Sequence, residues 1–222
     1  MVQDDGQKEM QTLATLLLAY KLKYPHNIYL LRSYHECERM CKNNGFEREL
    51  IERYNDHRVL DYFIDAFNYM PIGAIIEQSV SFTHGGIPKD LVQPYVADLR
   101  AGISRINRPV DVPTDGLTHD LLWSDPISEG DPTPLGWQPT RRRVFRFGHD
   151  VSPEFLHKYQ MGNIILAHQY LQNGFHVFHG RRFSIFLAPN CKNRYGNEGP
   201  IAIVEDRNEN IMHILTHLKR LT

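Results

Sequence analysis

Three short apolar stretches of the sequence each end at a histidine, and this repeated arrangement constrains the fold most strongly. The stretches are Tyr29–His35, Ser81–His84 and Ile164–His168. Short apolar runs of this kind predict buried strands, and open sheets place ligands beyond the carboxyl ends of their strands. Three histidines that converge on one sheet edge would form a metal or phosphate site. The alternative is that each histidine only caps a strand or packs against a loop.

Helical and strand patterns alternate along the rest of the chain. Apolar spacing predicts helices over about 8–22, 36–43, 47–54, 57–69, 90–103 and 152–159. Short apolar runs predict strands over 27–31, 74–76, 80–82, 163–167, 175–178, 183–187, 201–204 and 211–215. Between 105 and 139 the chain is rich in Pro, Asp and Gly, and only Leu121–Trp123 is expected to be buried. The pattern predicts an α/β (α+β) fold in a single domain over 1–222.

Charge and cysteine content narrow the classes of partner and compartment. The 25 basic and 26 acidic side chains of the 222 residues nearly cancel, so we expect no nucleic-acid or anionic-membrane partner. No apolar run approaches the ~20 residues that span a bilayer, and the polar N-terminus is unlike a signal peptide. The three cysteines form no C-x-x-C motif, which favours a reducing compartment. We therefore expect a cytoplasmic or nuclear protein.

Seven blocks of sequence resemble the PPP family of protein serine/threonine phosphatases, in the family's order, from about Asp4 to Leu215. The blocks are Leu16–Pro25, Leu30–Cys37, His84–Gly86, Leu121–Pro126, Phe147–Gly148, Ala167–Gln169 and Ala188–Asn190. The resemblance implies a metallophosphoesterase-like two-sheet β-sandwich flanked by helices. It also implies hydrolysis of phosphoserine or phosphothreonine by water that two Mn, Fe or Zn ions activate. Phosphoprotein substrates and regulatory subunits are the partners that the family implies.

The resemblance carries roles over to four residues. His35 matches the general acid of the family, because it stands at the histidine of the R-G-N-H-E motif. His84 and His168 match the two histidine ligands of the second metal. Arg141 matches the phosphate-binding arginine, with a register that Arg142 and Arg143 leave open by one residue. The alternative for this basic run is a solvated loop.

Several positions depart from the family pattern. Tyr34 stands where the family has an asparagine ligand, Ser33 where it has glycine, and Cys191 where it has an aromatic residue. The upstream G-D-x-H-G motif has no counterpart, and the second upstream motif is degraded, with Asp5 as a weak match to the aspartate that orients the general acid. We expect a sandwich that lacks its N-terminal strand and helix, with a depleted metal site.

Three interpretations of the function stay open at this point. The chain is an active phosphatase, a catalytically dead pseudophosphatase that acts as a binding module, or a truncated form of an ordinary phosphatase. The C-terminal strands favour the binding module, because in the family this region carries a groove for regulatory-subunit motifs. Tyr34 and Cys191 favour a degenerate site, because truncation does not explain substitutions inside the chain.

Overall fold

The computed structural model describes residues 10–128, 131–132, 135–140, 144–178, 180–188, 191, 196–197, 199–205 and 211–218. Its helices are α1 Met10–Lys23, α2 Glu38–Asn43, α3 Phe46–Tyr54, α4 Arg58–Tyr69, α5 Leu99–Ser104, α6 Leu117–Trp123 and α7 Val151–Lys158. Its strands are β1 Gly73–Ile76, β2 Val80–Thr83, β3 Asp125–Pro126, β4 Trp137–Pro139, β5 Phe145–Phe147, β6 Asn163–Leu166, β7 Phe175–Phe178, β8 Arg182–Ile185, β9 Gly199–Glu205 and β10 Ile211–Leu218.

A five-stranded sheet in the order β1-β2-β6-β8-β7 organises the fold. Strands β2, β6 and β8 run parallel, and β1 and β7 pair antiparallel at the two edges. The central strand β6 is buried along its whole length, as expected for a strand that is covered on both faces. The remaining strands form a three-stranded sheet, β3-β5-β4, and the β9–β10 hairpin.

The two faces of the large sheet bury different partners. Ile164 and Leu166 of β6 point into a cluster with the helices, which includes Leu122 and Phe155. Ile165, between them, belongs to a second cluster with side chains of β9. This alternation follows the two-residue period of a strand. The arrangement of two layers of sheet with flanking helices confirms the predicted fold class.

Helix α1 packs on α3 through its polar side rather than through its leucines. The Gln11 amide donates to the Glu49 carboxylate, and Arg53 donates to the side chains of Gln11 and Thr12. The predicted apolar stripe of this helix is turned outward, with Leu13 57% and Leu16 50% exposed. The helix over 8–22 is therefore present, and the apolar side chains that it packs against the cluster around Phe46 are those of Met10 and Ala14.

Two element predictions were wrong. The run 27–31 is not a strand, because the only backbone bond to another element there is from the Arg32 amide to the Pro71 oxygen, and one bond makes no ladder among the described residues. The helix over 90–103 is broken into a 3-10 turn, Lys89–Val92, and the short α5. Pro94 lies between them and has no N–H for helical bonding. Within the loop 105–139, the structure forms α6 around Leu121–Trp123, together with β3 and β4.

None of the helices in the described ranges is long and apolar enough to cross a membrane.

Candidate functional site

Two neighbouring parallel strands bring His84 and His168 together. His84 follows β2 and His168 follows β6 by two residues, and Phe82 lies opposite Ile165 in the register. The Ala167 amide donates to the His84 oxygen at 2.9 Å, which ties the two strand ends together. The imidazole centroids are 5.5 Å apart. The predicted meeting of these histidines at one sheet edge follows from the parallel pairing.

A tight loop before α2 carries Tyr34 and His35. Arg32 is fully buried beneath it and donates to the Glu36 oxygen at 2.7 Å, the Asn68 side chain at 2.8 Å and the Val110 oxygen. The Ser33 amide donates to the Glu36 carboxylate at 2.7 Å. A buried guanidinium of this kind is tolerated because its donors are satisfied. Arg32 is therefore a positioning residue that the motif pattern alone did not identify.

The aromatic ring of Tyr34 fills the space among the histidines. Its centroid lies 4.0 Å from that of His35, 5.4 Å from His84 and 4.8 Å from His168. On a further side the ring packs against Trp123 at 4.4 Å. Such offset and edge contacts are favourable pairings of aromatic rings. The structure thus brings the three predicted histidines together around a tyrosine.

His168 is held by a carboxylate that the sequence analysis did not assign. Its Nδ1 lies 2.8 Å from Oδ1 of Asp125, which begins β3, 43 residues away in sequence. His168 also has a φ of 66°, a left-handed conformation that is uncommon for a residue with a side chain. The only sequence signal for Asp125 is its place in the Leu121–Pro126 block. The carboxylate orients the imidazole and occupies one of its two nitrogens.

Trp123 connects the site to two further elements. The Arg39 guanidinium lies 5.5 Å from the Trp123 ring, a cation–π distance. The His119 ring is stacked against the Trp123 ring, with the two centroids 6.0 Å apart. Trp123 closes α6 and leads directly into Ser124 and β3. The α6–β3 segment therefore supplies one wall of the site.

The glycines after His84 serve the protein's own backbone rather than a ligand. A Cβ on Gly85 would lie 2.7 Å from backbone atoms of Leu122 and Trp123, and one on Gly86 would lie 2.1 Å from the Phe147 ring. The Gly85 amide also donates to the Leu121 oxygen at 2.8 Å. Neither position has room for a side chain, because α6 and β5 fill the space that a Cβ would occupy.

Burial shifts the pKa values of three rings in this site toward the uncharged form. Burial, reinforced by His168 and His35, lowers the pKa of His84 to about 3. Burial also raises the pKa of Tyr34, with Asp125 and Cys191 adding to the effect. Desolvation by the neighbouring protein atoms lowers the pKa of His35, although part of its side chain is exposed. At neutral pH the phenol and the imidazole of His84 are therefore neutral.

A cleft with a volume of about 580 Å³ adjoins His168. It is lined by Asp125, His168, Gln169, His176, Arg182 and Ser184, among others. Arg141, the predicted phosphate ligand, and Asp5 lie outside the described residues. The roles assigned to His35, His84, His168 and Arg141 stay predictions.

The sequence model of the calcineurin-like phosphoesterase family matches residues 3–172. The chain belongs to this family, and its domain is of the PPP phosphatase type, which confirms the resemblance.

A solved structure described as a protein serine/threonine phosphatase from Saccharomyces cerevisiae with similarity to human phosphatase PP5 matches with a TM-score of 0.79 and 27% identity. The match covers 94% of this chain and 66% of that chain. The present chain therefore spans just under two thirds of the structure that it resembles.

The family generally uses divalent metals, and the described residues fit such a centre poorly. One atom favours a ligand: Nε2 of His84 is buried and has no hydrogen-bond partner among the described residues. Against it, no group of three or more His, Cys, Asp or Glu in the described ranges is placed to hold an ion. His168 Nδ1 is bound to Asp125, and the Tyr34 ring covers both imidazoles. The described residues do not fit a two-ion centre.

Proposed function

We propose that this chain is a serine/threonine-phosphatase-like domain that binds phosphoprotein ligands and hydrolyses them poorly or not at all. The proposal has two parts, retained recognition and impaired chemistry, and each has its own support. A cytoplasmic or nuclear location, and binding of regulatory subunits, stay predictions from the sequence.

The position of Tyr34 carries the proposal of impaired chemistry. Hydrolysis by metal-activated water needs an ion with an open coordination position next to the substrate. In this site the Tyr34 ring lies within 5.4 Å of the His84 centroid and 4.8 Å of the His168 centroid. A neutral phenol is a weak ligand and a bulky one. Two imidazoles without a carboxylate that bridges two ions also leave the repulsion between the cations uncompensated.

The cleft beside His168 supports retained recognition. Its lining combines a buried guanidinium, Arg182, with the hydroxyl of Ser184 and the imidazole of His176. Guanidinium and hydroxyl donors are the groups that bind phosphate oxygens. The match to a protein serine/threonine phosphatase supports a phosphorylated protein segment as the ligand class.

Hydrolysis and binding of one phosphoserine peptide test the two parts separately. We expect release of phosphate, in the presence of Mn²⁺, no faster than for the His84→Ala variant. Fluorescence anisotropy should show tighter binding of the phosphorylated peptide than of its unphosphorylated form. His168→Ala should weaken that difference, and the matched variant of an exposed histidine, His26→Ala, should preserve it. Equal binding of both peptides would contradict retained recognition.

An active metal-dependent phosphatase is the second candidate, and the unpartnered Nε2 of His84 favours it. A buried imidazole nitrogen without a partner is costly unless a ligand satisfies it. Metal-dependent turnover that His84→Ala abolishes and His26→Ala preserves would select this candidate over the binding module.

A further inference from the structure

The cluster of rings around Tyr34 has a property that goes beyond the absence of turnover. The three centroid distances that join Tyr34, His84 and His168 are 5.4, 4.8 and 5.5 Å, so the rings form a nearly regular triangle. Trp123 closes a further side of Tyr34 at 4.4 Å. Each histidine is therefore in contact both with the other histidine and with the tyrosine.

In a metal site, an ion and its second-shell partners fix the orientation of histidine ligands. Here that work is done by packing and by one hydrogen bond, from His168 to Asp125. We infer that the Tyr34 ring takes the structural place of an ion in this domain, holding His84 and His168 in position so that the site is ordered without a divalent cation. This inference rests on the proposed function, because it explains how a non-hydrolysing site keeps its shape.

The ring is anchored well enough for this role. Arg32, which is fully buried, joins the loop of Tyr34 to two other parts of the chain. It binds the Asn68 side chain of α4 and the backbone oxygen of Val110, in the connection after α5. On the far side, Trp123 is in turn covered by the guanidinium of Arg39. Tyr34 is thus held by the backbone beneath it and by an aromatic side chain against it. A cation approaching the two imidazoles from the side of this loop would have to displace the ring.

Thermal unfolding of the full chain with EDTA, Zn²⁺ or Mn²⁺ tests the inference through three substitutions of one residue. Tyr34→Phe keeps the ring, Tyr34→Ala removes it, and Tyr34→Asn removes it while adding an amide oxygen. For the unmodified chain and Tyr34→Phe we expect the same Tm in all three solutions. For Tyr34→Ala we expect a Tm lower by about 5–10 °C, since a half-buried ring and its four aromatic contacts are lost. Only Tyr34→Asn should regain Tm with added cation, and a second substitution, His84→Ala, should abolish the regain.

Two results would overturn the inference. One is a rise of several degrees in the Tm of the unmodified chain when a cation is added. The other is an unchanged Tm for Tyr34→Ala. Equilibrium dialysis of the chain against micromolar Zn²⁺ is a second measurement, which does not depend on the folding of the Tyr34 variants. We expect the bound zinc to be the same with and without His84→Ala, and a loss of one bound ion in that variant would contradict the inference.

These measurements fail independently of the proposed function. A chain that binds phosphopeptide without turnover and is nevertheless stabilised by Zn²⁺ keeps the proposed function and overturns the role of Tyr34. A chain that hydrolyses phosphopeptide, and whose Tm does not change with EDTA, overturns the proposed function and keeps the role of Tyr34.

Discussion

The two halves of the site are built in different ways. His84 and His168 follow adjacent parallel strands, and backbone pairing of β2 with β6 fixes their spacing. Tyr34 and His35 lie on a loop that forms no strand, and its place depends on the side chain of Arg32. The strand-end half is therefore secured by many weak backbone contacts, whereas the loop half depends on one buried guanidinium.

This difference implies that the two halves respond differently to substitution. In the paired strands, the loss of unfolding free energy caused by a substitution is shared among several backbone contacts. In the loop, the same loss is concentrated at one anchor, the Arg32 side chain. The following variants are ordered by the size of the effect that we expect, and each bears on one half or on its connection to the other.

The largest expected effect is at the anchor of the loop half. Arg32→Met keeps most of the aliphatic volume but leaves the oxygens of Glu36, Val110 and Asn68 without their donor. Buried acceptors that lose their donor cost about 1–3 kcal/mol each, so we expect a loss on the order of 3–5 kcal/mol of unfolding free energy. Urea denaturation measures this loss. Arg58→Met, at an exposed ion pair with Asp56, is the control and should give no measurable change. Equal midpoints for the two variants would refute the single-anchor view.

The next effect lies in the strand-end half, directly after His84. Gly86→Ala would place a Cβ 2.1 Å from the Phe147 ring and 2.9 Å from the Ser124 oxygen. Overpacking of this kind costs about 1–3 kcal/mol. The double variant with Phe147→Leu frees space for the methyl group. Its cost, measured by urea denaturation, should be smaller than the sum of the two single costs. Additive costs would show that the ring is not what excludes a side chain at Gly86.

The same contrast explains which features the sequence predicts. Strands β2 and β6, and the meeting of His84 with His168, follow from apolar runs and from parallel pairing, which are local patterns. The run 27–31 has the composition of a strand, but the nearest backbone bond to another element is the one from Arg32 to Pro71, and pairing partners are not encoded in composition. Asp125 reaches His168 across 43 residues, a contact that no local pattern reveals.

Tyr34 is a second example of what the sequence does and does not predict. Its place in the resemblance marks Tyr34 as a departure from the family pattern, yet three of the four rings around it come from other segments of the chain. Only the fold brings these segments together. The departure could therefore be predicted from the sequence, whereas its consequence for the site could not.

Acid should destabilise the strand-end half through His84. Its pKa of about 3 in the folded state lies below the ~6.5 of an unfolded histidine. As the pH falls below about 6.5, the unfolded chain takes up a proton that the folded chain does not, so stability is lost progressively toward pH 3. The loss from this one group is at most about 1.4 kcal/mol per pH unit. Urea midpoints at pH 7, 6 and 5 should fall less steeply for His84→Gln than for the unmodified chain. Parallel slopes would contradict a buried, neutral His84.

The smallest expected effect lies away from both halves, where the predicted helix over 90–103 failed. Helix α5 begins only after Asp98, whose carboxylate accepts the Ala101 amide at 2.6 Å. An N-cap of this type contributes about 1 kcal/mol, so Asp98→Ala should lower the unfolding free energy by about that amount, and Asp98→Asn should retain most of it. Because α5 makes no contact with Tyr34 or the histidines in the described ring pairs, the metal response of Tyr34→Asn should be the same in the Asp98→Ala background. A change in that response would show that the helical layer, and not only the loop and the strand ends, determines the geometry of the site.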